Sequence, residues 1–158
     1  THGGSLRVWI CHKGNANVSQ KVIDLLLKEK KEGLMKLETY SNFQQKSERI
    51  KNDLLRFLLE ASANRKKVIA YGAAAKGNTL INFAGISKDL LNCVVDRSKS
   101  KQGKYLPGSH IPIISYEDLK YHDPDILLIL PWNLINELRD QLQSYELVTA
   151  IPEIKYWK

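Results

Sequence analysis

Hydrophobic positions along the chain fall into two patterns, short apolar runs and longer stripes in which apolar residues recur every three or four positions. Short runs between polar or glycine-containing segments are typical of strands, and the stripes are typical of amphipathic helices. The runs that predict strands are residues 5–11, 68–71, 91–95, 111–114, 126–130 and 146–151. The stripes that predict helices lie within residues 19–32, 40–61, 78–84, 116–121 and 133–142.

From residue 68 onward the predicted order is strand, helix, strand, strand, helix, strand, helix, strand, which indicates a mostly parallel sheet with helices on both faces. Residues 126–130 are apolar throughout, as in a strand buried on both faces of such a sheet. We therefore predict an α/β fold, a Rossmann-like three-layer sandwich preceded by a strand and helices. Such sheets bind ligands beyond the carboxyl ends of their strands. The loops predicted at those ends are residues 72–78, 96–105 and 131–133.

The loop after the strand at residues 68–71 carries the clearest candidate chemistry. Its turn, residues 72–77, reads Gly-Ala-Ala-Ala-Lys-Gly and precedes a predicted helix. A helix start offers unpaired N–H groups to an anion, small residues allow close approach, and Lys76 adds a charge suited to a diphosphate. We expect Gly72, Ala74, Lys76, Gly77 and Asn78 to bind a nucleotide or a phosphorylated small molecule.

The turn matches neither the G-x-G-x-x-G dinucleotide motif nor the P-loop. The alternative interpretation is therefore that the alanines only pack the helix start against the sheet, with Lys76 solvated.

Asp96 follows the predicted strand at residues 91–95 and lies 24 residues after Gly72. A Rossmann fold places an acid at about this spacing to bind a ribose hydroxyl. Aspartate after a strand also commonly starts a turn, so both roles stay open.

The two other loops supply further candidates. Residues 97–110 form a long polar connection, within which Lys104 and Tyr105 either face a ligand or belong to a solvated basic loop. Trp132 and Asn133 follow the strand at residues 126–130, and Asn133 is suited to cap the next helix.

Composition and charge narrow the class of protein. The chain has 158 residues, 43% hydrophobic and 26% charged, as expected of about one soluble domain. Its formal charge of +7 permits nucleic-acid binding, but the lysines and arginines are mixed with acidic residues, which favours a solvated face. Two cysteines, Cys11 and Cys93, lie in apolar runs and indicate buried thiols in a reducing cytoplasm. Because no apolar run has the length of a membrane-spanning helix, we expect no membrane association. Because the charges are mixed, we expect no nucleic-acid partner.

Several sequence blocks, in order along nearly the whole chain, resemble the C-terminal domain of the sugar C-methyltransferase family. They are His-Gly-Gly-Ser-Leu-Arg-Val at 2–8, Tyr-Gly-Ala-Ala-Ala-Lys-Gly-Asn-Thr-Leu at 71–80, Val-Asp at 95–96, Gln-Gly-Lys-Tyr-Leu-Pro-Gly-Ser-His-Ile-Pro-Ile at 102–113 and Leu-Ile-Leu-Pro-Trp-Asn at 128–133.

The resemblance implies an enzyme that moves a methyl group from S-adenosylmethionine to a carbon of a dTDP-linked keto sugar. Residues 1–12 would be the last strand of a methyltransferase domain, residues 13–62 connecting helices, and residues 63–158 the nucleotide-sugar-binding domain. The methyltransferase domain would bind S-adenosylmethionine, and a further N-terminal module would bind zinc. The resemblance also places the catalytic histidine upstream, so we assign no catalytic or metal-binding residue to this chain, and expect it to be inactive alone.

Two other functions remain open at this stage. One is an NAD-dependent oxidoreductase or nucleotide-binding regulatory domain that uses Gly72 and Asp96. The other is an oligomerisation domain that buries the helix at residues 40–61 against a partner.

Overall fold

The structure is a computed structural model that describes residues 6–157. The chain divides into two compact units, of which the first ends at Ser47 and the second begins at Glu48. Within residues 6–157, no helix is long and apolar enough to span a bilayer.

The second unit is built on a six-stranded sheet in the order β3-β2-β1-β4-β5-β6. Strands β1 to β5 pair in parallel, and β6 pairs antiparallel with β5. The strands are β1 (Val68–Tyr71), β2 (Val94–Val95), β3 (Ile113–Ile114), β4 (Ile126–Ile129), β5 (Glu146–Thr149) and β6 (Lys155–Trp157). The predicted α/β fold and its mostly parallel sheet are therefore confirmed.

Helices of the second unit cover both faces of the sheet, as its two core clusters show. The helices of the two units are α1 (Gln20–Lys31), α2 (Phe43–Ala63), α3 (Ala75–Ala84), α4 (Leu119–His122) and α5 (Ile135–Gln141). One core cluster joins side chains of α2 and α3 to alternate residues of the central strands, including Ala70 and Leu128. The other joins α4 and α5 to the intervening residues, including Ile69 and Leu127. Because side chains alternate across a strand, β1 and β4 are apolar at every position and buried on both sides.

Helix α2 packs against the sheet with the apolar stripe predicted within residues 40–61. Leu54, Phe57, Leu58 and Ala61 are all buried, at the spacing of one helix face. These four side chains pack in the core of the second unit and are not available to a partner chain, whereas Phe43, at the start of the same stripe, is exposed. The domain boundaries expected at residues 12 and 62 remain predictions.

Several predicted elements differ in the structure. The strands predicted at 91–95 and 111–114 shrink to Val94–Val95 and Ile113–Ile114. The strand predicted at residues 146–151 is followed by a further strand, β6, in the aromatic tail. This strand forms by antiparallel pairing with β5. Asn133 does not cap α5, because a 3₁₀ turn at Trp132–Leu134 moves the helix start to Ile135.

The first unit contains α1 and a 3₁₀ turn at Leu37–Thr39, and neither has a buried residue. The strand predicted at 5–11 is not formed in the described residues, since residues 6–12 pair with no other described segment. Its assignment to another domain stays a prediction, and residues 1–5 lie outside the described part. Cys11 is exposed, so the expectation of two buried thiols is wrong for this cysteine and confirmed for Cys93.

The two thiols should therefore differ in reactivity. Burial raises the pKa of the Cys93 thiol from 9.0 to about 11, so that little reactive thiolate forms at pH 8. We expect a thiol reagent at pH 8 to modify Cys11 rapidly and Cys93 only on unfolding, as followed by intact-mass spectrometry. Cys11→Ser should abolish the rapid phase, whereas equal labelling of both cysteines in the native chain would contradict the burial of Cys93.

Candidate functional site

The turn after β1 approaches the chain that leaves β4 very closely. Gly72 has φ +87°, and a β-carbon on it would lie 2.6 Å from Cδ of Pro131. Only glycine combines this backbone conformation with the absence of a side chain in such a space. Gly77, five residues further on and within α3, meets the same segment, because its β-carbon would lie 2.5 Å from Cβ of Leu130.

Helix α3 begins with no side-chain cap. Its N-cap position is Ala74, whose own N–H donates to the Gly72 carbonyl at 2.8 Å. The N–H groups of the first helical turn have no partner within a helix, and alanine has no oxygen to accept from them. The first turn of α3, residues 75–77, therefore presents backbone donors and the positive end of the helix dipole. Lys76, Gly77 and Asn78 lie inside this helix rather than in the preceding turn.

Lys76 lies at this helix start and reaches across to the loop after β4. Its Nζ lies 4.2 Å from the ring centroid of Trp132, a cation–π contact. The same Nζ donates a hydrogen bond to Oδ1 of Asn133. Partial removal from solvent lowers the pKa of Lys76 below its ordinary value of 10.5. Lys76 is thus a half-buried cation held by neutral groups, which differs from the solvated lysine of the alternative interpretation.

Asn78, in the next turn of α3, carries an unused acceptor. Its Oδ1 is buried and receives no hydrogen bond from the described residues. A buried polar atom without a partner is uncommon and costly, and calls for a physical explanation. Because this oxygen is shielded from solvent, a ligand donor reaches it only if the amide rotates.

Asp96 is buried at the end of β2, 9% exposed. Its Oδ2 accepts from the Ala73 N–H at 2.8 Å and from Lys101 Nζ at 3.1 Å, and its Oδ1 accepts from the Ser98 N–H at 2.8 Å. The bond to Ser98 is that of an aspartate that starts a turn. Asp96 thereby joins the loop after β2 to the turn after β1.

Residues 97–110 form an ordered loop. Gln102 donates its Nε2 hydrogen to the Asp96 carbonyl at 3.0 Å, and Asn82 of α3 donates to the Pro107 carbonyl at 2.9 Å. Lys104 and Tyr105 are both exposed, and neither side chain makes a described hydrogen bond or ion pair with the other candidate residues. Of the ten candidate residues, eight lie in the turn after β1 and the start of α3, in the loop after β4, or at Asp96, and contacts join these three segments. Lys104 and Tyr105 lie apart from them.

The site lies where the strand order changes direction. From β1 the chain proceeds outward to β2 and β3, then returns to β4 on the other side of β1. Neighbouring loops that leave in opposite directions open a crevice at this point, where open α/β sheets bind their ligands. The turn after β1 contacts the loop after β4 through Gly72 and Lys76, and the start of the loop after β2 through Ala73. Lys104 and Tyr105, further along the loop after β2, do not join them.

Sequence reasoning missed several residues at this edge. Lys101 appears in the sequence only as one of several loop lysines, and its role emerges from contacts with Asp96 and Ala73. Arg97 lies 4.6 Å from the ring centroid of Tyr116, which packs edge-on against Tyr71. Burial raises the pKa of Tyr71, and the nearby Arg97 guanidinium opposes that effect. No spacing rule links these residues, because they come from three different strand ends.

Comparison with known proteins gives two matches. Residues 1–152 match the family described as C-methyltransferase C-terminal domain. The chain is also similar to C-methyltransferase NovU from Streptomyces niveus, with 32% identity over 96% of the chain. The chain spans 38% of that relative's length.

The close approach at Gly77 should make this position intolerant of a side chain. Gly77→Ala forces a β-carbon onto Leu130, and overpacking of this kind costs about 1–3 kcal/mol, outweighing the roughly 1 kcal/mol that alanine gains in a helix. We expect a lower free energy of unfolding in denaturant titrations. Thr79→Ala, an exposed change on the same helix, should alter it by less than about 0.5 kcal/mol, and a Gly77→Ala chain as stable as the wild type would contradict the packing described.

Proposed function

This chain belongs to the family of C-methyltransferase C-terminal domains, and from that premise we propose that it is the substrate-binding domain of a sugar C-methyltransferase. Its ligand is the nucleotide diphosphate of a dTDP-linked keto sugar. The observation that carries this proposal is the uncapped start of α3 with Lys76 beside it, at the crevice between β1 and β4. Backbone donors and one cation together suit a diphosphate better than any other common ligand group.

Each part of the crevice has a role in binding. The phosphates lie against residues 72–78, where Gly72 and Ala74 permit close approach and Lys76 supplies a charge-assisted hydrogen bond. Trp132 offers an aromatic face, and Asn133 an amide, to the rest of the nucleotide sugar. Asn78 contributes its side-chain amide from the start of α3. Lys104 and Tyr105, exposed on the loop after β2, contact the ligand from outside and close the crevice.

The chemistry on the sugar belongs to the rest of the enzyme. The reaction would need a base that removes the proton next to the keto group, so that the sugar carbon can accept a methyl group. S-adenosylmethionine supplies the methyl group and is held by a separate methyltransferase domain of the same polypeptide. This chain orients the sugar for that step, since binding energy from remote parts of a substrate can position the reacting centre. Alone it is inactive.

Zinc, by the same resemblance, belongs to a further N-terminal module. Among residues 6–157, no three His, Cys, Asp or Glu side chains are grouped so as to hold a metal ion. The described residues therefore do not fit a zinc site, and no step of the proposed function runs through zinc in this chain. The proposed location of the whole enzyme is the cytoplasm.

Lys76→Met tests the phosphate contact. Loss of a charge-assisted hydrogen bond should weaken dTDP binding by about 1.5–3 kcal/mol, roughly ten- to a hundredfold in Kd. Isothermal titration calorimetry measures this change. The matched control is Lys88→Met, which removes the same charge from a groove at the amino ends of the strands, lined also by Lys67 and Cys93. Equal affinities for the two variants would contradict the proposed role of Lys76.

The pH dependence of binding provides a second test of Lys76. Only the ammonium form binds phosphate, and desolvation lowers the pKa of Lys76 below 10.5. As pH rises through that lowered pKa, the dTDP affinity of the wild-type chain should fall before the exposed lysines titrate. Lys76→Met should lack this alkaline loss. Parallel pH profiles for both proteins, with circular dichroism confirming the fold at each pH, would rule out Lys76 as the responsible group.

A further inference from the structure

The carboxylate of Asp96 is largely occupied within the protein. Three donors reach its two oxygens, namely the N–H groups of Ala73 and Ser98 and the ammonium of Lys101, all within 3.1 Å. A carboxylate has about four acceptor positions, so roughly one remains. The side chain is also buried, with 11% of its surface exposed. Asp96 therefore has little capacity left for a ligand hydroxyl.

The same contacts hold the turn after β1 from both sides. Asp96 accepts from the N–H of Ala73, and Lys101 donates to the carbonyl of Ala73 at 3.0 Å. Within the loop after β2, Gln102 donates to the Asp96 carbonyl, which holds Lys101 and Asp96 in the same loop conformation. With both polar groups of Ala73 engaged, the direction in which the chain enters α3 is fixed. The N–H groups of residues 75–77, which no side chain caps, thereby keep a fixed position at the start of α3.

We propose that Asp96 is a positioning residue, which together with Lys101 fixes the phosphate-binding turn and does not bind the ribose. This inference rests on the proposed nucleotide-binding function and adds a specificity to it. In dinucleotide-binding folds, the acid at this position accepts a hydrogen bond from the ribose 2′-hydroxyl. With that acid engaged by Ala73, Ser98 and Lys101, the site does not distinguish ribose from 2′-deoxyribose at this carboxylate. A 2′-deoxynucleotide such as dTDP then binds with no loss.

The first experiment needs no mutation. UDP and dUDP differ only in the 2′-hydroxyl, so the ratio of their Kd values for the wild-type chain isolates its contribution, with dTDP measured alongside. We expect the two Kd values to agree within about twofold. Sites built to bind a hydroxyl discriminate strongly against ligands that lack it, so a preference for UDP of about tenfold or more would overturn the inference and leave the proposed function standing. Absence of binding by all three nucleotides would overturn the proposed function and this specificity with it.

The second experiment separates positioning from direct contact. Lys101→Met removes the cation of the Lys101–Asp96 pair, and neither a positioning role nor a ribose-binding role of Asp96 places Lys101 at the ribose. Asp96→Asn removes the negative charge of the same pair. We expect each single variant to raise the Kd of UDP and the Kd of dUDP by the same factor, about tenfold. The double variant should raise each Kd by less than the product of the two single effects, because the two residues act as one unit. The control is Lys99→Met, an exposed charge on the same loop, which should leave both affinities unchanged.

Two results would contradict the positioning role. One is a change in the UDP to dUDP ratio on Asp96→Asn, and the other is a Lys101→Met chain that binds both nucleotides like Lys99→Met. The free protein gives an independent readout, because the amide resonance of Ala73 should shift in Lys101→Met and Asp96→Asn but not in Lys99→Met. If Asp96→Asn fails to fold, the wild-type ratio and Lys101→Met decide the matter.

Discussion

The close approach of two backbone segments at the carboxyl edge of the sheet sets the geometry of everything around it. Gly72 contacts Pro131 and Gly77 contacts Leu130 at distances that leave no room for a β-carbon. Helix α3 can therefore begin directly against the end of β4. Its first turn then lies within reach of Trp132 and Asn133, and Lys76 spans the gap between the two loops. With larger residues the helix start and the β4 loop would separate, and the proposed anion site would lose one of its sides.

The two lysines at this edge of the sheet have different kinds of partner. Lys101 neutralises Asp96 in an internal pair, whereas Lys76 is held by a ring and an amide, neither of which carries a formal charge. A cation partly removed from water and without a carboxylate partner gains more from an incoming anion than a paired one does. The division of the two lysines into a structural and a ligand-binding one follows from which side chains they contact. Neither the overall charge of +7 nor the pI reveals it.

Much of the fold could be predicted from the sequence because its signals are local. The apolar runs at β1 and β4 and the helical stripe of α2 have the correct type and nearly the correct bounds. The strand–turn–helix unit and its convergence with the loop after β4 were also predictable from chain order.

The errors arise where a distant partner decides the outcome. Pairing with β5 turns the aromatic tail into β6, and residues 6–12 have no described neighbour with which to form a strand. Asn133 is suited to a helix cap, but Lys76 holds its side chain and the helix starts later. Lys101 is indistinguishable from other loop lysines until the fold brings it to Ala73.

The most direct test of the central claim is an amide-shift NMR titration of the chain with dTDP, with NAD and S-adenosylmethionine titrated in parallel. Our account predicts saturable shifts with dTDP at the amides of Gly72, Lys76, Gly77 and Asn78, around the uncapped start of α3. It predicts no comparable shifts with the other two ligands. Saturable shifts of the same amides with NAD, or amides that do not move at millimolar dTDP, would contradict it.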